Sequence, residues 1–150
     1  MVAADEGSIK AAFLLGGNLF ASNPDREWAA AALRKIPFTV TVSTKLNEGH
    51  VHGRGRTAII LPALARDEEA QVTTQESMFN YVRLSDGGKP AVLGEMRSEV
   101  DIIASFAERV LDRERFDWSN LRSHDALRRA IAHCVPGYDG IADIAQTKKE

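Results

Sequence analysis

The chain has 150 residues, 44% hydrophobic and 27% charged, a length that fits one domain with a single buried core. Nineteen Lys and Arg against 21 Asp and Glu give a net charge of −2, too balanced for a protein whose main work is coating nucleic acid. One cysteine excludes an intramolecular disulfide, a four-cysteine zinc site or an iron–sulfur site within these residues, and no apolar run approaches the roughly 20 residues of a membrane span.

Met1 to Lys10 places acids ahead of the first hydrophobic stretch, which is not the basic-then-apolar order of a signal peptide. A soluble, reduced, cytoplasmic protein is therefore expected. Residues 9–15 form a nearly continuous apolar run, the pattern of a strand buried on both faces. Gly16-Gly17-Asn18 follows as a tight turn. Asn23 as N-cap, Pro24 in the first turn and Asp25 at the positive end of the dipole predict a helix over 24–36. Its apolar residues Trp28, Ala29, Ala32, Leu33 and Ile36 recur at helical spacing, and Pro37 stops it.

Residues 38–43 are β-branched and read as a second strand. A glycine- and histidine-rich loop, Asn47 to Gly55, leads to a third strand over 57–61, halted by Pro62. Strand, helix, strand, crossover, strand predicts a parallel sheet with right-handed connections. Beyond it, residues 63–77 are polar and irregular, Met78 to Leu84 reads as an edge strand, and Ser85-Asp86-Gly87-Gly88 as a turn. Ser98 with Asp101 resembles an acidic capping box ahead of the stripe Val100, Ile103, Ala107 and Val110. A last helix is expected from Ser123 to Pro136, with Leu127, Ile131 and Cys134 on one face, and the polar tail 144–150 is expected to be loose.

Three polar clusters fall at the C-terminal edge of the predicted sheet, where open α/β sheets bind ligands. They are Gly16-Gly17-Asn18, Ser43-Thr44-Lys45 and Arg66-Asp67-Glu68-Glu69. The first reads more readily as a βα turn than as a ligand loop, the second as a ribose or phosphate contact or a plain strand end, the third as acid/base groups or solvated charges. His50-Val51-His52 reads as a solvated loop, since no third metal ligand follows at a suitable spacing. Arg54 and Arg56 read as phosphate donors or surface charge, and Cys134 as a packed, inert thiol. Together these residues favour a nucleotide-like ligand and name no reaction.

The succession of pieces is more specific than any one of them. Phe13-Leu14-Leu15-Gly16-Gly17-Asn18 with Pro24-Asp25, Val40-Thr41-Val42-Ser43-Thr44-Lys45-Leu46-Asn47 with His50, and Ile60-Leu61-Pro62 running to Glu68 resemble the molybdopterin oxidoreductases, in the branch of formate-dehydrogenase-like alpha subunits. Val72 to Met78, Met96 to Val100, Asp117-Trp118 and Val135 to Tyr138 agree, so the resemblance runs from Ile9 to Asp143. It implies an internal segment of a longer chain, with Met1 as an expression start, whose remaining domains are its partners. It also implies molybdenum held by two molybdopterin guanine dinucleotides and an iron–sulfur cluster elsewhere in the full chain. This segment would hold the guanosine end of one dinucleotide through Gly16, Gly17, Asn18, Ser43, Thr44, Lys45 and Glu68, with no metal ligand and no catalytic residue of its own. Two positions depart from the family: Thr44 stands where many relatives have aspartate, and Asp67 where threonine is commoner.

Pattern and resemblance together predict an α/β fold: one Rossmann-like three-layer domain over 1–150, with a mainly parallel sheet and helices on both faces. The fragment is expected to be monomeric and inactive alone. A free-standing nucleotide-binding or regulatory module without redox role is the second reading, and a metal enzyme built on His50, His52 and Glu68 the third.

Overall fold

The computed structural model describes residues 1–78, 81–91, 94–112, 114 and 116–147. They form two compact units, residues 1–63 and 64–150. In the first, a short helix α1 (Val2–Asp5) precedes β1 (Ala11–Leu15), α2 (Arg26–Arg34), β2 (Phe38–Ser43), α3 (Glu48–His52) and β3 (Thr57–Pro62). The three strands form one parallel sheet in the order β1-β2-β3, with Ala11 opposite Phe38 and Phe38 opposite Thr57. The fold class is α/β, as the alternation of strand and helix patterns implies.

The core of this unit is small. Ala4, Ala32, Leu33 and Ile36 are buried together, with Met1, Ile9 and Ala12 packed on them. Alanines on α2 let the helix lie close to the sheet, and Leu33 and Ile36 fill the space between. Thr39, fully buried in the central strand, is satisfied because its hydroxyl oxygen accepts from the Gly55 amide at 3.1 Å. A Cβ at Gly55 would stand 2.6 Å from the Ile36 carbonyl oxygen, so the chain entering β3 passes there only as glycine.

Several local expectations shift. The cap of α2 is Asp25, whose carboxylate accepts from the Trp28 amide at 2.9 Å; an N-cap side chain reaches the third helical N–H, and Asn23 lies too far back. β1 is covered on one face only, since Phe13 and Leu15 are 40% and 50% exposed while Ala12 packs on the core. Asn47 to Gly55 is not all loop: it holds α3, capped by Asn47.

The second unit pairs β4 (Thr73–Glu76) antiparallel with β5 (Val82–Ser85) and adds α4 (Glu99–Val110), α5 (His124–Cys134) and α6 (Ile144–Thr147). Phe79 and Asn80, within the predicted edge strand, lie outside the described residues, as do 148–150 of the tail. Ser98 stands at the N-cap of α4 without a capping side-chain bond, so the acidic box does not form. Ser123 does cap α5, its hydroxyl accepting from Ala126 at 3.3 Å. α5 buries His124, Ala126 and Arg128, whereas Cys134 is exposed. The apolar stripe placed the thiol inside; the buried face is set instead by polar bonds to the segment before β4. There the Val72 carbonyl accepts from Arg128 Nη1 at 2.9 Å and lies 3.1 Å from His124 Nδ1, and Gln71 Oε1 accepts from the His124 amide at 3.0 Å. Among the described residues no helix is long and apolar enough to cross a membrane.

Candidate functional site

A cleft of about 450 Å³ opens beyond the C-terminal ends of β1 and β2, wholly within residues 1–63. Its walls are Phe13, Leu15 and Leu19 on the apolar side and Gly16, Gly17, Asn18, Asn47 and His50 on the polar side. The sheet brings these together directly. The Gly16 amide continues the ladder by donating to the Val42 carbonyl at 2.8 Å, so the turn after β1 sits against the end of β2. Gly16 and Gly17 then take φ of +59° and +66°, a left-handed pair that residues with a Cβ rarely adopt. Nothing lies within 4 Å of where either Cβ would stand.

The second wall is α3. Asn18 Oδ1 accepts from the Ala21 amide at 3.0 Å, which curls the chain toward α2. That curl rests on α3 at two glycines four residues apart, hence on one helix face. A Cβ at Gly49 would overlap Asn18 Oδ1, and one at Gly53 would stand 2.6 Å from Phe20 Cβ. Phe20 also stacks, tilted by 38°, on His52 at a ring separation of 5.5 Å.

Asn47 carries the polar end of the wall. Its carboxamide oxygen accepts from the Gly49 amide at 2.9 Å, and its own amide donates to His50 Nδ1 at 2.9 Å. His50 is 8% exposed, and its Nε2 has no hydrogen-bond partner. The sequence reading of His50 as part of a solvated loop is corrected here. A five-residue helix is too short for its periodicity to be seen, although Asn47 with a bonding residue three positions on is the capping signal that marks it.

The other predicted site residues are placed as follows. Ser43 ends β2 and donates its hydroxyl to the Lys45 carbonyl at 2.7 Å, which closes a small turn. Thr44 and Lys45 are exposed in it, and none of the three lines the cleft. Glu68 belongs to the second unit, where its carboxylate accepts from the Ala65 amide at 2.8 Å. Asp67 pairs with Lys89 at 2.8 Å, and the ammonium beside it holds the Asp67 carboxyl below the usual aspartate range. Arg54 and Arg56 share a smaller cleft with Arg34 and Val51. His50 lines the cleft, whereas His52 stacks on Phe20 and does not line it. Among the described residues no group of three or more His, Cys, Asp or Glu could hold a metal ion.

The chain is similar to an uncharacterized oxidoreductase of Mycobacterium tuberculosis, at 36% identity over 143 residues, which is 89% of this chain and 18% of that protein. The same figures hold for an uncharacterized oxidoreductase of Mycobacterium bovis. Protein YdeP of Escherichia coli is 32% identical over 140 residues, 88% of this chain and 18% of its own length. The chain thus spans less than a fifth of the curated relatives it matches. No family model matches it.

Proposed function

We propose that this chain is the cofactor-holding segment of a molybdopterin-dependent oxidoreductase, a formate-dehydrogenase-like alpha subunit, and that it grips the guanosine end of a molybdopterin guanine dinucleotide. The observation that carries this reading is the cleft on the Gly16-Gly17 turn at the C-terminal edge of a parallel sheet. Nucleotides bind open α/β sheets at that edge, and about 450 Å³ lies within the range of roughly 300–1,000 Å³ typical of small-molecule clefts. The bare glycine backbone leaves room for a planar group, and Phe13, Leu15 and Leu19 offer it apolar surface. The residues present therefore fit the group.

In this reading Gly16, Gly17 and Asn18 contact the nucleoside, Ser43 and Thr44 lie toward its ribose, and the Lys45 cation attracts its phosphate. Glu68 is a further contact on the family resemblance alone. The relatives named as oxidoreductases support the redox half of the reading. When bound, the molybdenum centre supplies the electron-transfer chemistry. The residues of this chain bind and orient the cofactor, and the rest of a longer polypeptide provides the cluster and the remaining walls.

The test is a titration of the chain with GMP, followed by amide chemical shifts. A half-built cleft facing a free nucleotide should bind with Kd on the order of 1 mM or weaker. Shifts centred on residues 16–18 and the adjoining end of β2 are the expected result. Shifts gathered instead at Arg34, Arg54 and Arg56 would overturn the assignment of the cleft.

A further inference from the structure

His50 is the residue of this cleft whose chemistry is unspent. Its Nδ1 lies 2.9 Å from the Asn47 amide nitrogen, which can only donate, and 3.3 Å from the Asn47 carbonyl oxygen, which can only accept; the shorter contact makes Nδ1 the acceptor. An imidazole whose Nδ1 accepts carries its proton on Nε2 when neutral. The Nε2–H is thus the donor in this arrangement. It is buried in the cleft wall, and among the described residues no carbonyl, hydroxyl or carboxylate accepts from it. A buried N–H without a partner is destabilising, and a bound acceptor would remove that cost.

We infer that His50 Nε2–H donates to an acceptor on the base of the bound nucleotide, a ring nitrogen or an exocyclic carbonyl, and so helps select the base. This rests on the nucleotide reading of the cleft. Two observations favour a base edge over a phosphate. The neighbouring walls Phe13, Leu15 and Leu19 are apolar, which suits a flat ring. The donor is also an N–H of an imidazole whose other nitrogen takes the Asn47 amide, and a phosphate would be better served by a cation. Nε2 is buried, so the wall must yield locally to admit the ring, and Gly16 and Gly17, which line the same cleft, have no side chain packed into the fold.

Two variants separate the bonding roles of the imidazole. In His50→Asn the short carboxamide can still accept from Asn47, but the far donor is gone. In His50→Gln an amide N–H returns near the Nε2 position. GMP titrations of each, read from the Gly16–Asn18 amides, should show Kd weakened about threefold to tenfold in His50→Asn and largely restored in His50→Gln. On the unaltered chain, imidazole nitrogen spectra should show the Nε2–H tautomer before GMP is added and a displaced Nε2–H proton at saturation. An Nδ1–H tautomer, an Nε2–H unmoved by saturating GMP, or wild-type affinity in a folded His50→Asn would each overturn the role of His50 while leaving the nucleotide site in place. No response at Gly16–Asn18 in the unaltered chain would overturn both.

Discussion

Asn18 and Gly49 meet so closely that a single methyl group between them would force one to move. A Cβ on Gly49 would overlap Asn18 Oδ1 and stand 2.9 Å from Asn47 Oδ1. The contact fixes the height of the Gly16–Asn18 turn above α3, and therefore the depth of the cleft. Gly49→Ala should displace Asn18 and cost its bond to Ala21. Helix propensity returns up to about 1 kcal/mol, so a net loss of about 1 kcal/mol is expected. Urea unfolding measures it, and a gain in stability would mean that the contact is slack.

Leu33 occupies the centre of the first unit's core and is 1% exposed. Of the buried residues clustered with it, Ala4 and Ala32 are small and Ile36 is stiff, so the site has little side-chain bulk that could collapse into the space. Leu33→Ala should cost about 3 kcal/mol in the unfolding transition of this unit. A loss below about 1 kcal/mol would show that the core is not organised on this residue.

Asp5 ties α1 to α2. Its carboxylate accepts from Lys35 Nζ at 2.6 Å and from the Trp28 indole N–H at 3.3 Å. The Lys35 bond, then the Trp28 bond, hold its pKa below the ordinary 3.8 in the folded state. A depressed folded pKa means that the contribution is present above 3.8 and is lost as pH falls through 3.8 and on through the lower folded value. Unfolding free energies measured from pH 6 down to pH 3 should therefore fall less steeply in Asp5→Asn than in the parent chain. Parallel curves would assign Asp5 no role in acid sensitivity.

Arg128 is 3% exposed, bonds the Val72 carbonyl at 2.9 Å and reaches Asp125 with its other terminal nitrogen. Arg128→Ala removes both bonds and the packed stem, for an expected loss of about 2 kcal/mol. Arg128→Lys should recover less than half, because lysine lacks the planar fork that serves two acceptors at once. Equal stability of parent and lysine variant, by chemical denaturation, would rule out the fork as the reason for arginine here.

The sheet and α2 were legible in the sequence because their determinants are local. Residues 38–43 carry alternating β-branched side chains, and α2 carries an apolar face with proline on either side. With a helix between the first two strands, the parallel order follows from the direction in which the chain must return. The Gly16-Gly17-Asn18 turn was legible for the same reason, since consecutive glycines after an apolar strand mark backbone that leaves the ordinary regions.

The rest was decided by packing between residues distant in the chain. Ser43, Thr44 and Lys45 share the sheet edge but do not line the cleft, while Asn47, Gly49, His50 and Gly53 form its wall because the curl through Asn18 and Phe20 lies across α3. In the linear chain His50 and His52 look alike; one is buried and the other stacks on Phe20, because a two-residue step on a helix turns the side chain by about 200°, to the opposite face. Likewise Arg128 is buried and Cys134 exposed against their polarity. The Val72 carbonyl offers arginine a partner inside, and burial follows the partner a group can find rather than its hydropathy alone.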